Sequence, residues 1–245
     1  MEKKLSIDIV IPVYNEQQAL EKSITTLFNF LTENLKDFDW KIVIADNASL
    51  DNTFQIAKKL SEKNPQKISA LRLEQKGRGR AVKKAWRESR ADIVSYMDVD
   101  LSTSLDHLRG LFEGLEKGFD IAIGSRLKRG ARVKGRTLKR EIISRCYNML
   151  IKLMFLTKFS DAQCGFKAVT RKVVQTLIPH IKDNEWFFDS EMLIVGEKAG
   201  YGVYEVPVLW IDDPGSTVKV MKTASGDIKG LIRLFLTKPW EKIKK

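Results

Sequence analysis

The sequence predicts an α/β fold with a mostly parallel, doubly wound sheet flanked by helices. Short apolar runs rich in Ile and Val alternate with segments of helical periodicity through the first half of the chain. Such alternation implies helical crossovers between parallel strands. The 245 residues are 43% hydrophobic, enough for a sizeable core.

The elements follow in order. Leu5 to Val13 is an apolar, β-branched run suited to a buried parallel strand, and it breaks at Pro12-Val-Tyr-Asn-Glu16. Asn15 is the expected cap of a helix that carries Ala19, Leu20, Ile24, Leu27, Phe28 and Leu31 at helical spacing. Trp40 to Ala45 is a second strand ending on Asp46, and Asn47 to Asp51 is a turn opening a helix through Leu60. Ile68 to Leu73 is a third strand, after which the loop Lys76-Gly-Arg-Gly-Arg80 leads into a helix with Ala81, Val82 and Ala85. Ala91 to Met97 is a fourth strand, ending on Asp98-Val-Asp100; Leu105 to Leu115 is helical, and Phe119 to Gly124 is a fifth strand. Leu138 to Leu156 and Ile228 to Leu236 read as amphipathic helices with cationic residues.

Ligands of such sheets bind beyond the carboxyl ends of the strands. Polar residues gather there: Tyr14, Asn15 and Glu16 after the first strand, Asp46 after the second, Asp98 and Asp100 after the fourth, Ser125 and Arg126 after the fifth. A dinucleotide site requires a glycine-rich first turn, and this one has no glycine. Gly77 and Gly79 follow the third strand instead, where they either shape a simple turn or let Lys76, Arg78 or Arg80 approach phosphate. In extended backbone Asp98 and Asp100 would point the same way, so the pair is expected to share Mg²⁺ or Mn²⁺ on a nucleotide diphosphate. The alternative is two solvated aspartates, which the position at a central strand's mouth argues against.

The formal charge of +12 is concentrated. Lys128 to Lys158 holds ten basic residues and one acidic, and Lys219 to Lys245 holds eight and two, leaving 25 basic against 28 acidic in the rest. Two cationic segments on a near-neutral body suit phospholipid, nucleic acid or a phosphorylated substrate; solvated lysines are the alternative. No stretch reaches the ~18 apolar residues of a spanning helix, and the N-terminus passes from two lysines into a strand, not into a signal peptide. A cytoplasmic protein, free or peripheral at the cytoplasmic face of its membrane, is expected. Cys146 and Cys164 lie outside C-x-x-C spacing beside only two histidines, so both are expected to be reduced packing residues.

Four segments in this order, Val10 to Glu16, Ile44 to Asp51, Asp98-Val-Asp100 and Ile123 to Arg126, together resemble the GT-A domain of family 2 glycosyltransferases. Asp161-Ala-Gln-Cys-Gly-Phe-Lys167, Trp186 to Glu191 and Gly215 to Lys219 resemble more narrowly its dolichyl-phosphate glucosyltransferase and polyprenyl-phosphate mannosyltransferase branch. The resemblance covers about residues 5 to 235 and implies a GT-A catalytic domain over 1–215, with an interface helix within 134–158, and a basic amphipathic segment over 216–245. It implies that Pro12, Tyr14, Glu16 and Asp46 line the base and ribose of a nucleotide-sugar donor, and that Asp98 and Asp100 bind metal and diphosphate. Some relatives add a glutamine ligand where this chain has Ser102. Arg126, Arg140 and Ser144 match positions that contact phosphate of donor or lipid acceptor, or else they are ordinary helix-surface residues.

The implied reaction is attack by a polyprenyl or dolichyl phosphate on the anomeric carbon, with inversion. Asp189 and Glu191 are candidates for a base or for orienting the acceptor, or they cap a helix. Asp161 is assigned to the acceptor side. The helices within 134–158 and near the C-terminus either lie in an anionic membrane interface or pack on the core with a solvated face. A saccharide hydroxyl acceptor is the second reading. A basic nucleic-acid-binding module is the third, without a recognised reading motif, so no nucleic acid is expected as partner.

Overall fold

The computed structural model describes residues 4–212 and 220–243. The segment Gly215 to Lys219 and the 215/216 boundary lie outside the described residues. Five strands stand where the sequence predicts them: β1 (Ser6–Val13), β2 (Asp39–Asp46), β3 (Ile68–Arg72), β4 (Ile93–Met97) and β5 (Ile121–Ser125). Four more were not predicted: β6 (Arg132–Lys134), β7 (Phe166–Thr170), β8 (Val203–Pro207) and β9 (Leu209–Ile211). The helices are α1 (Leu20–Asn34), α2 (Thr53–Lys63), α3 (Arg78–Glu88), α4 (Leu108–Glu116), α5 (Leu138–Phe155), α6 (Arg171–Thr176), α7 (Phe188–Lys198) and α8 (Val220–Thr237).

Seven strands form the main sheet in the order β3-β2-β1-β4-β7-β5-β8. All neighbours are parallel except β7, which runs antiparallel to both β4 and β5. The sheet is thus mostly parallel, as the alternating pattern predicts, and β7 brings its first residues, and so the 161–167 segment, to the carboxyl end of β4. Strand order reverses between β1 and β4, the place where an α/β sheet opens a crevice. Helices α1, α2 and α4 cover one face with Leu20, Ile24, Leu27, Leu31, Ala57, Leu60 and Leu111. The other face is covered by α3, α5, α6, α7 and α8, through residues such as Trp86, Ile151, Val173, Leu193 and Leu231.

Three local expectations are corrected. Asn15 does not cap α1: it sits in the left-handed region with φ 56°, accepts a hydrogen bond from Leu50 N at 2.8 Å, and the helix begins five residues later. The Arg78-Gly79-Arg80 stretch is the first turn of α3, not a loop. A Cβ at Gly79 would collide with the Phe188 side chain, so glycine there lets α3 and α7 approach closely. Of the two cysteines only Cys164 packs in the core; Cys146 is exposed.

Candidate active site

The carboxyl ends of β1, β2 and β4 converge on one cleft. Asp46 closes β2 and is fully buried, with Oδ2 accepting from Ser49 N at 3.3 Å and Oδ1 without a partner among the described residues. A buried carboxylate oxygen without a donor is costly, and it fits a ligand that brings an N–H or O–H. Asn47 Oδ1 accepts from Gly77 N at 2.6 Å and ties the β2 end to the start of α3. Lys76 Nζ lies 3.2 Å from the centre of the Tyr14 ring, while Arg80 donates to the side chain of Gln75 at 2.7 Å. Pro12 stands opposite Ala45 in the parallel ladder, and the backbone of Glu16 is held by Thr53 Oγ1 at 2.7 Å.

Asp98 and Asp100 line a shallow depression with Met97, Ser102, Thr103, Gly165 and Trp210. Asp100 is exposed and its Oδ1 accepts from Ser102 N at 2.9 Å. A Cβ at Gly165 would collide with the Asp98 carboxylate, so the glycine of the 161–167 segment makes room for it. No group of three or more His, Cys, Asp or Glu suited to a metal occurs among the described residues. Two carboxylates in one depression nevertheless fit a hard divalent cation of the Mg²⁺ or Mn²⁺ type, which completes its shell with substrate phosphate and water.

Arg78 was expected only as a phosphate contact, yet it is the hub behind this pair. It is 8% exposed, donates from one nitrogen to Asp98 Oδ1 at 2.7 Å and from the other to Asp189 Oδ2 at 2.6 Å, and lies 5.0 Å from the rings of Tyr96 and Trp186. Asp189 also pairs with Lys167 Nζ at 3.0 Å and accepts from the Tyr96 hydroxyl. Burial opposes ionisation of Asp189, but Lys167 and Arg78 outweigh it and hold the carboxyl below its usual range. Glu191 is buried and accepts from Lys182 N at 3.2 Å, Asp183 N at 2.7 Å and Arg233 at 2.9 Å, so it fastens a loop and α8 to α7. Neither carboxylate caps α7, whose N-terminus has no side-chain cap; both are committed to ion pairs instead. Lys167, although part of a quoted motif, carried no expected role; nothing in one sequence reveals a lysine buried completely beside an aspartate 22 positions away.

The second cluster borders the depression through Trp210. Arg126 lies 4.8 Å from the Trp210 ring and binds Asp161 through Nε at 2.8 Å and a terminal nitrogen at 2.9 Å. Burial works against the Asp161 charge, but Arg126 prevails and holds the carboxyl at about 2. Arg140 pairs with Asp212 at 2.9 Å, and Arg136 with Glu141 at 3.1 Å. Burial and the nearby Arg126 charge lower the pKa of Arg136, the mark of cations gathered in a confined space. Ser144, one turn after Arg140, is buried with its hydroxyl unpartnered among the described residues. The sequence-predicted residues therefore form two connected groups: Tyr14, Asp46, Lys76, Asp98 and Asp100 in the crevice, and Arg126, Arg140, Ser144 and Asp161 beyond Trp210. Asp189 joins the first from behind, and Glu191 belongs to neither.

The chain is 32% identical over 238 residues to a glycosyltransferase of Haloferax volcanii, covering 97% of this chain and 37% of that protein. It is 32% identical over 239 residues to a dolichyl-phosphate beta-glucosyltransferase of Trichomonas vaginalis, covering 92% and 68%. A dolichol-phosphate mannosyltransferase of Pyrococcus furiosus is 33% identical over 173 residues, covering 70% of this chain and 48% of that protein. The chain thus spans about a third to two thirds of the length of these relatives. The fold matches the crystal structure of glucosyl-3-phosphoglycerate synthase from Mycobacterium tuberculosis, solved with Mn²⁺, uridine-diphosphate-glucose and phosphoglyceric acid, with a TM-score of 0.68 at 14% identity over 98% of this chain and 81% of that one. Residues 8–178 match the sequence model of glycosyl transferase family 2, a span that holds both aspartates of the depression, Arg78 and the arginine cluster, and the chain belongs to that family.

Proposed function

We propose that this chain transfers a hexose from a nucleotide sugar to a polyprenyl or dolichyl phosphate at the cytoplasmic face of a membrane. One observation carries the reading: a side bearing an arginine and a buried hydroxyl, and an exposed apolar stripe, begin at the same turn of α5. Arg140 and Ser144 lie on its inner side, while Leu138, Ile142, Met149 and Leu153 repeat along its outer side, 54–76% exposed, with Leu156 just beyond. Helix α8 packs beside α5 and adds Ile228, Ile232, Phe235 and Leu236, all exposed. An amphiphile with a phosphate head and an isoprenoid tail has this shape. Exposed Lys139, Arg145, Lys152 and Lys229 on the same two helices suit the anionic leaflet that faces the cytoplasm. No helix among the described residues is long and apolar enough to cross a membrane.

Asp98 and Asp100 are the residues that would hold Mg²⁺ or Mn²⁺, which when bound would offset charge on the leaving nucleoside diphosphate. Asp46, with Tyr14 and Lys76, receives the nucleoside. Arg126, Arg136 and Arg140 offset the repulsion between the acceptor phosphate and the donor diphosphate. A phosphate oxygen then attacks the anomeric carbon opposite the leaving group, forming the new C–O bond with inversion as the old one breaks. A phosphate monoester, with a second pKa of ~6, is already anionic near neutrality, so the attack requires no strong base. This agrees with the full commitment of Asp189 and Glu191 to ion pairs.

The test incubates the full chain with labelled UDP-glucose or GDP-mannose, a polyprenyl phosphate and Mg²⁺ or Mn²⁺. Label passing into the lipid is expected, and Asp98→Asn should lower the rate by about a hundredfold or more. Unchanged turnover in that variant removes the cation from the reading; consumption of a saccharide acceptor with the lipid phosphate untouched replaces the acceptor.

A further inference from the structure

The Asp98 carboxylate already has a cation. Arg78 occupies Oδ1 through a charge-assisted hydrogen bond, and a guanidinium cannot release its charge by deprotonation. Nor is Arg78 free to swing away. Its other nitrogen is fixed to Asp189, whose second oxygen Lys167 and Tyr96 hold, and the guanidinium carbon lies 5.0 Å from the ring centres of both Tyr96 and Trp186. A divalent ion arriving alone at Asp98 and Asp100 meets this fixed positive charge at hydrogen-bond distance from one of its two carboxylates. A nucleoside diphosphate brings anionic oxygens that offset it.

We propose that Arg78 is a positioning residue that acts as a resident counter-ion for Asp98, so that divalent cation is captured strongly only together with a nucleoside diphosphate. The inference rests on the reading of Asp98 and Asp100 as the cation site, and it adds an order of assembly. Without the donor, Arg78 keeps the carboxylate pair aligned and partly neutral; with it, the cation completes the site.

The test measures Mn²⁺ binding to the full chain by electron paramagnetic resonance and titration calorimetry, with and without UDP or GDP. Wild type should bind Mn²⁺ weakly alone and at least about tenfold more tightly with one of the nucleotides. Arg78→Gln should bind Mn²⁺ alone at least about tenfold more tightly than wild type, the size of effect a neighbouring full charge exerts on a carboxylate. Arg78→Lys, which keeps the charge and loses the fork, should stay near wild type. A role that merely shaped the site predicts the reverse, weaker binding in Arg78→Gln, and that result overturns the proposal. If Arg78→Gln does not fold, wild type decides: equally tight Mn²⁺ binding with and without nucleotide overturns it. Absence of Mn²⁺ binding under every condition overturns the cation-site reading itself, and the proposal with it.

Discussion

At the scale of single residues, the site is defined by which charges are already satisfied. Asp46 Oδ1 and Ser144 Oγ are buried without partners among the described residues, Asp46 Oδ2 lying 3.9 Å from Arg72, whereas both oxygens of Asp161, Asp189 and Glu191 accept hydrogen bonds. The sequence offers all five as candidates and does not separate the two kinds, because partner choice depends on residues up to 111 positions apart, as in Arg78 with Asp189. Glu191→Gln distinguishes a structural carboxylate from a base. Losing its charge should cost about 1–3 kcal/mol of stability, read as a lower Tm, while the transfer rate per folded molecule stays within a few-fold. A collapse of rate at unchanged Tm makes Glu191 catalytic. Cys164 is no competing nucleophile, since burial pushes its thiol up to about 12.

At the scale of elements, α5 and α8 carry the outward-facing chemistry. Thr137 caps α5 by accepting from the Arg140 amide, which fixes the turn presenting Arg140 and Ser144. Both helices were legible as amphipathic from their spacing. Which face is buried was not: Ser144, Asn148, Ile151 and Phe155 point inward, and the more continuous apolar stripe stays outside. Gly230 lets α8 close onto Phe187, whose ring a Cβ there would strike. Leu153→Asp with Ile232→Asp should abolish co-sedimentation with anionic vesicles while leaving Tm within a few degrees, because both side chains are more than half exposed. Retained vesicle binding in that double variant transfers membrane attachment to another surface.

At the scale of the whole molecule, α8 is not a detached tail. Leu231 and Leu234 enter the same core as β4 and α7, and Asp227 is buried against the 161–167 segment, accepting from Gln163 at 3.1 Å. Burial, with Asp183 and Asp189 nearby, raises the Asp227 carboxyl from 3.8 to about 6. A folded pKa above the unfolded one means that the folded state holds the proton more tightly. Its stabilising contribution is complete below about 3.8 and is lost as pH rises through about 6. Asp227→Asn, which resembles the protonated form, should therefore match wild type near pH 4 and exceed it at pH 8, by roughly 1 kcal/mol after allowance for solvent screening. Thermal melts at both pH values check this, and a stability difference independent of pH excludes the assignment.

The sequence by itself determined the five parallel strands, the helices between them and the gathering of carboxylates at strand ends. Those are local consequences of β-branched runs, helical periodicity and turn residues. Only the tertiary structure decided that β7 runs backwards between β4 and β5, that Arg78 stands behind Asp98, and that the stripe on α5 faces outward. Each depends on pairing between distant segments, and a one-dimensional pattern carries no term for that.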